Sequence, residues 1–256
     1  GFPEIAEKYL LLRKNGIKKE EILNVLAQVP GVYVPRLYSC VTPPHSPLLA
    51  RQPRHGAPAR IQKRVVFPLG RVPFPEKIVV PDIQVIFDRV AVEASRGCPQ
   101  RCRFCQATQI YFPFRLRSPS SLLQSACASL RSTGYEDVSL SALSLTDYPY
   151  LEETVGALME RLSGHRIGLS LSSLRPQGLT STVAENILRV RKTGFTLVPE
   201  AGTDRLRRVI NKNLQDQDIL DAAAQAFGRG WQLLKLYFMV GLPTETREDL
   251  EGIVSL

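Results

Sequence analysis

Three thiols stand within eight residues in "GCPQRCRFCQ": Cys98, Cys102 and Cys105. A spacing of four and then three would place them on one face of a helix, as buried apolar residues. Gly97 and Pro99 beside the first thiol, and Arg101 and Arg103 between the others, argue against a packed helix. A disulfide scaffold would be short and evenly paired, whereas this chain has 256 residues and five cysteines, two of them (Cys40 and Cys127) isolated. That usage points to a reducing compartment. Structural zinc takes four ligands, often as two C-x-x-C pairs. No fourth Cys or His lies close to the three, and His165 is the nearest histidine downstream. An iron–sulfur cube accepts cysteines at such loop spacings, and three thiolates leave its fourth iron open to a substrate. Zinc and iron–sulfur both stand on the residues alone; the missing fourth ligand favours an open metal site.

The elements that must position these thiols begin near residue 90, where β-prone runs alternate with amphipathic helical segments. "RVAVEAS" precedes a helix near 119–132, "DVSLSAL" one near 150–162 and "RIGLSLS" one near 180–192. "FTLVPE" leads to helical segments at 203–210 and 216–228, and "LLKLYFMV" to a last helix opened by Thr246 with Asp249 three residues on. Strand starts recur at βα-unit intervals, which predicts a parallel sheet and an α/β fold. Five strands are too few for an eight-stranded barrel, so the expectation is a partial or truncated one.

The C-x-x-x-C-x-x-C spacing of Cys98, Cys102 and Cys105 resembles the signature of the radical S-adenosylmethionine (SAM) superfamily. The resemblance implies a (βα)6-type barrel, a 4Fe-4S cluster on the three thiolates, and SAM chelated by the open iron. It also implies a one-electron donor such as flavodoxin or ferredoxin, and reductive cleavage of SAM to a 5′-deoxyadenosyl radical. Phe104, the aromatic residue before the last Cys, is then expected near the adenine. Chemistry on βα barrels sits at the C-terminal strand ends. There the resemblance assigns Ser141 and Ser144 in "SALSLTDY" to the SAM amine, although the family's glycines are missing from that turn. Arg175 in "LSSLRPQGL" is expected to meet a carboxylate, and Glu200 in "VPEAGTDRL" the ribose hydroxyls. Met239 and Gly241 in "YFMVGLPTET" are expected to flank the adenine, with Gly241 read as a point of close backbone approach. Arg96, Arg101 and Arg103 either offset the cluster's charge or are solvated loop charges.

"PGVYVPRLY", "SRGCPQRCRFCQA", "PEAGTDRLRRVINK" and "KLYFMVGLPTET" together resemble a bacterial subfamily with a cobalamin-binding-like domain before the barrel. Residues 1–41 are then the tail of that domain, with two short helices over 3–28 broken at Gly16. Residues 42–75 are a Pro- and Arg-rich linker, and 76–256 an incomplete radical SAM core. The chain starts at Gly rather than Met and reads as a fragment. It has no D-x-H-x-x-G motif, so cobalamin is expected only with the full-length protein. Cys127 reads as core and Cys40 as a buried filler.

Net charge is +9. This raises RNA as a possible substrate and, with it, an RNA-modifying, methylthiotransferase-like activity. Against every enzymatic reading stands a zinc or nucleic-acid-binding module. No apolar run is long enough for a membrane helix, and no signal peptide opens the chain, so a cytoplasmic protein with no membrane partner is expected.

Overall fold

The computed structural model describes residues 1–44, 49–190 and 195–256. The chain divides into two compact units, Gly1–Val66 and Phe67–Leu256. In the smaller unit, helix α1 (Phe2–Lys14) has Pro3 and Glu4 in its first turn and Arg13 and Lys14 in its last. Those residues suit the two ends of a helix dipole. Gly16, at φ 72°, ends it, and α2 (Lys19–Ala27) follows. Strand β1 (Tyr38–Val41) pairs antiparallel with β2 (Ala50–Pro53), in the register Tyr38↔Pro53 and Cys40↔Arg51. A small core of Ala27, Val34, Leu37 and Ala57 holds helix and hairpin together. The Pro- and Arg-rich linker expected over 42–75 includes a strand, residues 50–53, and residues 45–48 lie outside the described ones. Cys40 is exposed on β1 and is not the buried filler expected of it.

The larger unit follows the expected βα rhythm. Strand β3 (Val90–Glu93) is followed by the short β4 (Ser95–Arg96), helix α3 (Ala107–Ile110), the short β5 (Arg115–Leu116) and helix α4 (Pro119–Thr133). Then come β6 (Asp137–Ser141), α5 (Leu151–Leu162), β7 (Gly168–Leu171), α6 (Ser181–Leu188) and β8 (Phe195–Glu200). Helices α7 (Asp204–Val209) and α8 (Asp216–Gly228), strand β9 (Leu234–Phe238) and α9 (Arg247–Ser255) complete it. The helix expected to reach residue 192 stops at Leu188, and residues 191–194 lie outside the described ones.

Strands β3, β6 and β7 form a parallel sheet in chain order, and β8 pairs parallel with β9. Chain-order parallel strands with helical crossovers are the singly wound arrangement of a βα barrel. No ladder joins β7 to β8 among the described residues, so the five strands make two sheets rather than one. One core still serves both. Val90, Val92, Val138, Leu140 and Leu169 from the first sheet and Leu197 from β8 belong to a single buried cluster. Burying each such side chain contributes about 1.5–3 kcal/mol, far more than any surface ion pair, so this core sets the strand positions. On β9 three of five residues are exposed.

Candidate functional site

"RVAVEAS" was read as one strand, but the ladder divides it. After Glu93 the chain leaves the parallel sheet, and Ser95 and Arg96 pair antiparallel with Leu116 and Arg115. The loop between these two short strands carries all three cysteines, so its ends are clamped together. Nothing in the hydrophobic pattern signals so short a ribbon. Gly97 opens the loop at φ 95°, and a Cβ there would stand 2.8 Å from the Tyr111 carbonyl and 3.0 Å from the Phe114 Cα. Only glycine fits that conformation and that space.

The loop is then tied to the tips of the neighbouring strands. Gln100 donates to both carboxylate oxygens of Asp147, beyond β6, at 2.9 and 3.1 Å. Asn211, beyond α7, donates to the Arg101 carbonyl at 2.7 Å. The Arg103 amide donates to the Ile210 carbonyl at 2.9 Å, and its guanidinium to the Val209 carbonyl. Arg103 therefore caps the C-terminus of α7, where a cation meets unpaired carbonyls and the negative end of the dipole. Arg96 makes a two-pronged bond to Glu93 at 2.7 Å in each arm. Of the three arginines considered for charge compensation, these two have structural partners, and Arg101 is exposed.

A cavity of about 220 Å³ opens at the C-terminal ends of the strands. Cys98, Cys102, Phe104 and Cys105 line it from the loop, Ser144 from beyond β6, Arg175 from beyond β7 and Glu200 from the tip of β8. Seven of the ten residues singled out from the sequence thus share one pocket. Ser141, Met239 and Gly241 are not part of its lining. Ser141 lies within β6 opposite Glu93. The Met239 side chain packs on Ala201, Leu206 and Ile210, and its amide donates to the Glu200 carbonyl at 2.8 Å. Gly241 has φ 85°, yet a Cβ there would meet nothing within 4 Å. Its amide donates to Glu245 Oε2 at 2.7 Å. His165 is exposed just beyond α5, at the opposite end of the strands, and takes no part.

The pocket also holds residues the sequence reading missed, among them Gln100, Ser173, Val198 and Lys212. Lys212 Nζ donates to Glu200 Oε1 at 3.4 Å. Glu200 has φ 73° and Ser173 φ 53°, and a register shift separates Leu197 from Glu200 in the β8–β9 ladder. Left-handed backbone at non-glycine residues costs of order 1–3 kcal/mol and tends to gather at functional sites. Ser144, 4% exposed, has a hydroxyl with no hydrogen-bond partner. A buried hydroxyl in a polar pocket without a partner is one that a ligand would satisfy. Arg175 donates from its side chain to the Asn213 carbonyl and receives positioning from Thr146 Oγ1, which accepts its amide at 2.7 Å.

Burial pushes the Cys98 thiol up from its ordinary value. Burial also raises Cys102, against the opposing pull of the Lys212 and Arg175 cations. Among the described residues no three Cys, His, Asp or Glu converge on a point where one metal ion could sit. Thiolates are soft donors, which suits the three that line this pocket to iron–sulfur chemistry.

Comparison with known proteins agrees with this geometry. A protein of Methanocaldococcus jannaschii, MJ0966, is 40% identical over 166 residues, 64% of this chain and 36% of its own. The ribosomal protein uS12 methylthiotransferase RimO of Desulforudis audaxviator is 27% identical over 176 residues, 64% of this chain and 38% of its own. The chain thus spans little more than a third of the length of these relatives. Among solved structures, the radical SAM methyltransferase TsrM of Kitasatospora setae superposes with a TM-score of 0.55 at 15% identity, over 65% of this chain and 33% of TsrM. The cobalamin-dependent radical enzyme OxsB, with SAM bound, gives 0.52 at 14% over 64% of this chain and 26% of OxsB. Those two likenesses concern the fold. Residues 92–256, which carry the cysteine loop and every pocket-lining residue, match the Radical SAM superfamily profile, and the chain belongs to that superfamily.

Proposed function

We propose that this chain is the core of a radical SAM enzyme, with Cys98, Cys102 and Cys105 holding a 4Fe-4S cluster whose fourth iron takes SAM. A cluster held there would supply one-electron chemistry: with a low-potential donor such as a flavodoxin or ferredoxin, it would allow reductive cleavage of the sulfonium to methionine and a 5′-deoxyadenosyl radical. The observation that carries the reading is that the three thiols, Phe104 and three strand-end residues, Ser144, Arg175 and Glu200, face one cavity.

The chain's own residues divide the remaining work. The clamped loop and the Gly97 turn hold the three sulfurs at fixed separations, so ligands need little reorganisation on cluster binding. Glu200, restrained by Lys212, is a carboxylate ready to accept from vicinal hydroxyls. Ser144 offers its unpaired hydroxyl to the amine, and Arg175 a cation to the carboxylate. Phe104, Leu143, Leu174 and Val198 make the remaining lining largely apolar and limit water around a reactive radical. Ser141, Met239 and Gly241 would act only through the backbone they support. The thiol chemistry also supports a reducing, cytoplasmic setting. Among the described residues no helix is long and apolar enough to cross a membrane.

Reconstitution with iron and sulfide under anaerobic conditions, followed by SAM and a chemical reductant, tests the proposal. Release of methionine and 5′-deoxyadenosine is the expected result. Stoichiometric zinc in the purified chain, with neither product formed, would overturn it.

A further inference from the structure

The basic bridge between the N-terminal helices and the barrel has no role in the reaction above. Residues 29–66 contain six Lys or Arg and no Asp or Glu. The unit Gly1–Val66 as a whole holds 11 basic against 4 acidic residues, a net +7 of the chain's +9. The excess charge is therefore concentrated in about a quarter of the chain. Arg51, Arg54 and Arg60 are exposed and form no ion pair among the described residues. Arg36 and Arg64 do pair, with Glu20 and Glu4, but on an exposed surface where such pairs contribute little and release easily.

The hairpin adds a second feature. The Tyr33 and Tyr38 ring centroids stand 4.9 Å apart, and the Arg51 guanidinium lies 4.9 Å from the Tyr33 centroid. The Tyr38 hydroxyl donates to the Pro58 carbonyl at 2.8 Å, which holds the column in place. The outcome is a pair of aromatic rings, tilted 39° to each other, that ends in an exposed guanidinium, with further cations on the same hairpin and its flanking loop. Like charges at this density repel one another and favour a polyanionic partner. A membrane-binding surface would lay an apolar helix face beneath its cations; these cations stand on a ribbon and loop. A flat guanidinium on aromatic rings suits the face of an unstacked base.

We infer that the hairpin unit, through Arg51, Arg54 and Arg60 and the Tyr33–Tyr38 stack, is a docking surface for single-stranded nucleic acid. It is independent of the cysteine pocket and stands whether or not the cluster is assembled. RNA and DNA share the required chemistry of phosphates and stacked bases.

The test is fluorescence anisotropy of labelled oligouridylate, and of the DNA of matching sequence, against the full chain over a range of salt. Wild-type chain should bind, with affinity falling as salt rises. Replacing Arg51, Arg54 and Arg60 together by Ala should weaken binding at least tenfold and flatten the salt slope by about two, at roughly 0.7 per lost phosphate contact on a single strand. Arg54→Ala with Arg60→Ala leaves the stack whole and should flatten the slope by about 1.4 on the same rule. That pair carries the test if the triple variant melts early. Arg51→Lys should weaken binding several-fold at an unchanged salt slope. The RNA and DNA arms tell which strand is preferred, and binding of either supports the surface. Equal affinity and slope in wild-type and substituted chains would overturn the inference. So would binding to phosphatidylserine vesicles, lost in the triple variant, with no binding to either oligonucleotide.

Discussion

Lys212 and Glu200 form an ion pair inside the cysteine pocket, at 3.4 Å, with side chains only 13% and 15% exposed. The pair joins the tip of β8 to the segment beyond α7, and Lys212 is also one of the two cations that pull against the burial of Cys102. A half-buried carboxylate held by a cation at a left-handed backbone position is preset for a ligand, not free to find one. Glu200→Gln keeps one acceptor and removes the charge. SAM affinity of the reconstituted chain, read by equilibrium dialysis, should fall about tenfold, as for loss of one charge-assisted hydrogen bond. Unchanged affinity with a lowered Tm would assign Glu200 to the helix that follows it instead.

The three cysteines give a sharper result. Cys98→Ala, Cys102→Ala and Cys105→Ala should each abolish the brown thiolate-to-iron absorption near about 400 nm. Cys127→Ala, on the half-buried face of α4, should leave the spectrum unchanged. A full-strength spectrum after loss of any one of the three would remove that residue from the ligand set.

Much of this site could be read from residue order, because βα units put the C-terminal ends of successive strands on one side. Once the period of the strands is recognised, Ser144, Arg175 and Glu200 must be neighbours. What remained hidden has physical causes. The ribbon of β4 and β5 is two residues long per strand, too short to show alternation. Lys212 reaches the pocket through a turn beyond α7, and a lysine in a turn carries no mark that sets it apart from a solvated one. Gly241 carries a related ambiguity, since positive φ and close approach of a ligand leave the same residue in the sequence. The strand in the Pro-rich bridge was missed because its pairing with Tyr38–Val41 depends on contacts across the hairpin, not on local periodicity.

Asp249 provides a pH dependence. It is 2% exposed, accepts from Thr203 and Arg205, and closes the capping box of α9 by accepting from the Thr246 amide at 2.8 Å. The Arg205 guanidinium, first among these partners, holds its carboxyl well below the usual range. A carboxyl depressed in the folded state stabilises the fold fully above its unfolded pKa, about 3.9. That contribution is lost as pH falls through the lower folded value. Thermal melts of the wild-type chain should therefore lose this increment only below about pH 4. Asp249→Asn should remove about 1–2 kcal/mol at neutral pH and flatten that acid limb. An unaltered acid limb in Asp249→Asn would show that other carboxylates govern it.

Two glycines with positive φ separate the needs of the backbone from those of the cluster. At Gly241 a Cβ would meet nothing within 4 Å, so Gly241→Ala should cost only about 1 kcal/mol of left-handed strain. Iron content after reconstitution should match that of wild type. At Gly97 the same methyl group would press on the Tyr111 and Pro113 carbonyls and the Phe114 Cα, all backbone atoms within 3.0 Å. Backbone on the far side of a clamped loop has no rotamer to yield with, so the loop itself must shift, and Cys98 is the next residue. Gly97→Ala should therefore lower bound iron and sulfide severalfold, and a circular dichroism spectrum should show the barrel still folded. Full iron loading in Gly97→Ala would show that the cysteine loop adapts to its cluster, instead of being held ready for it.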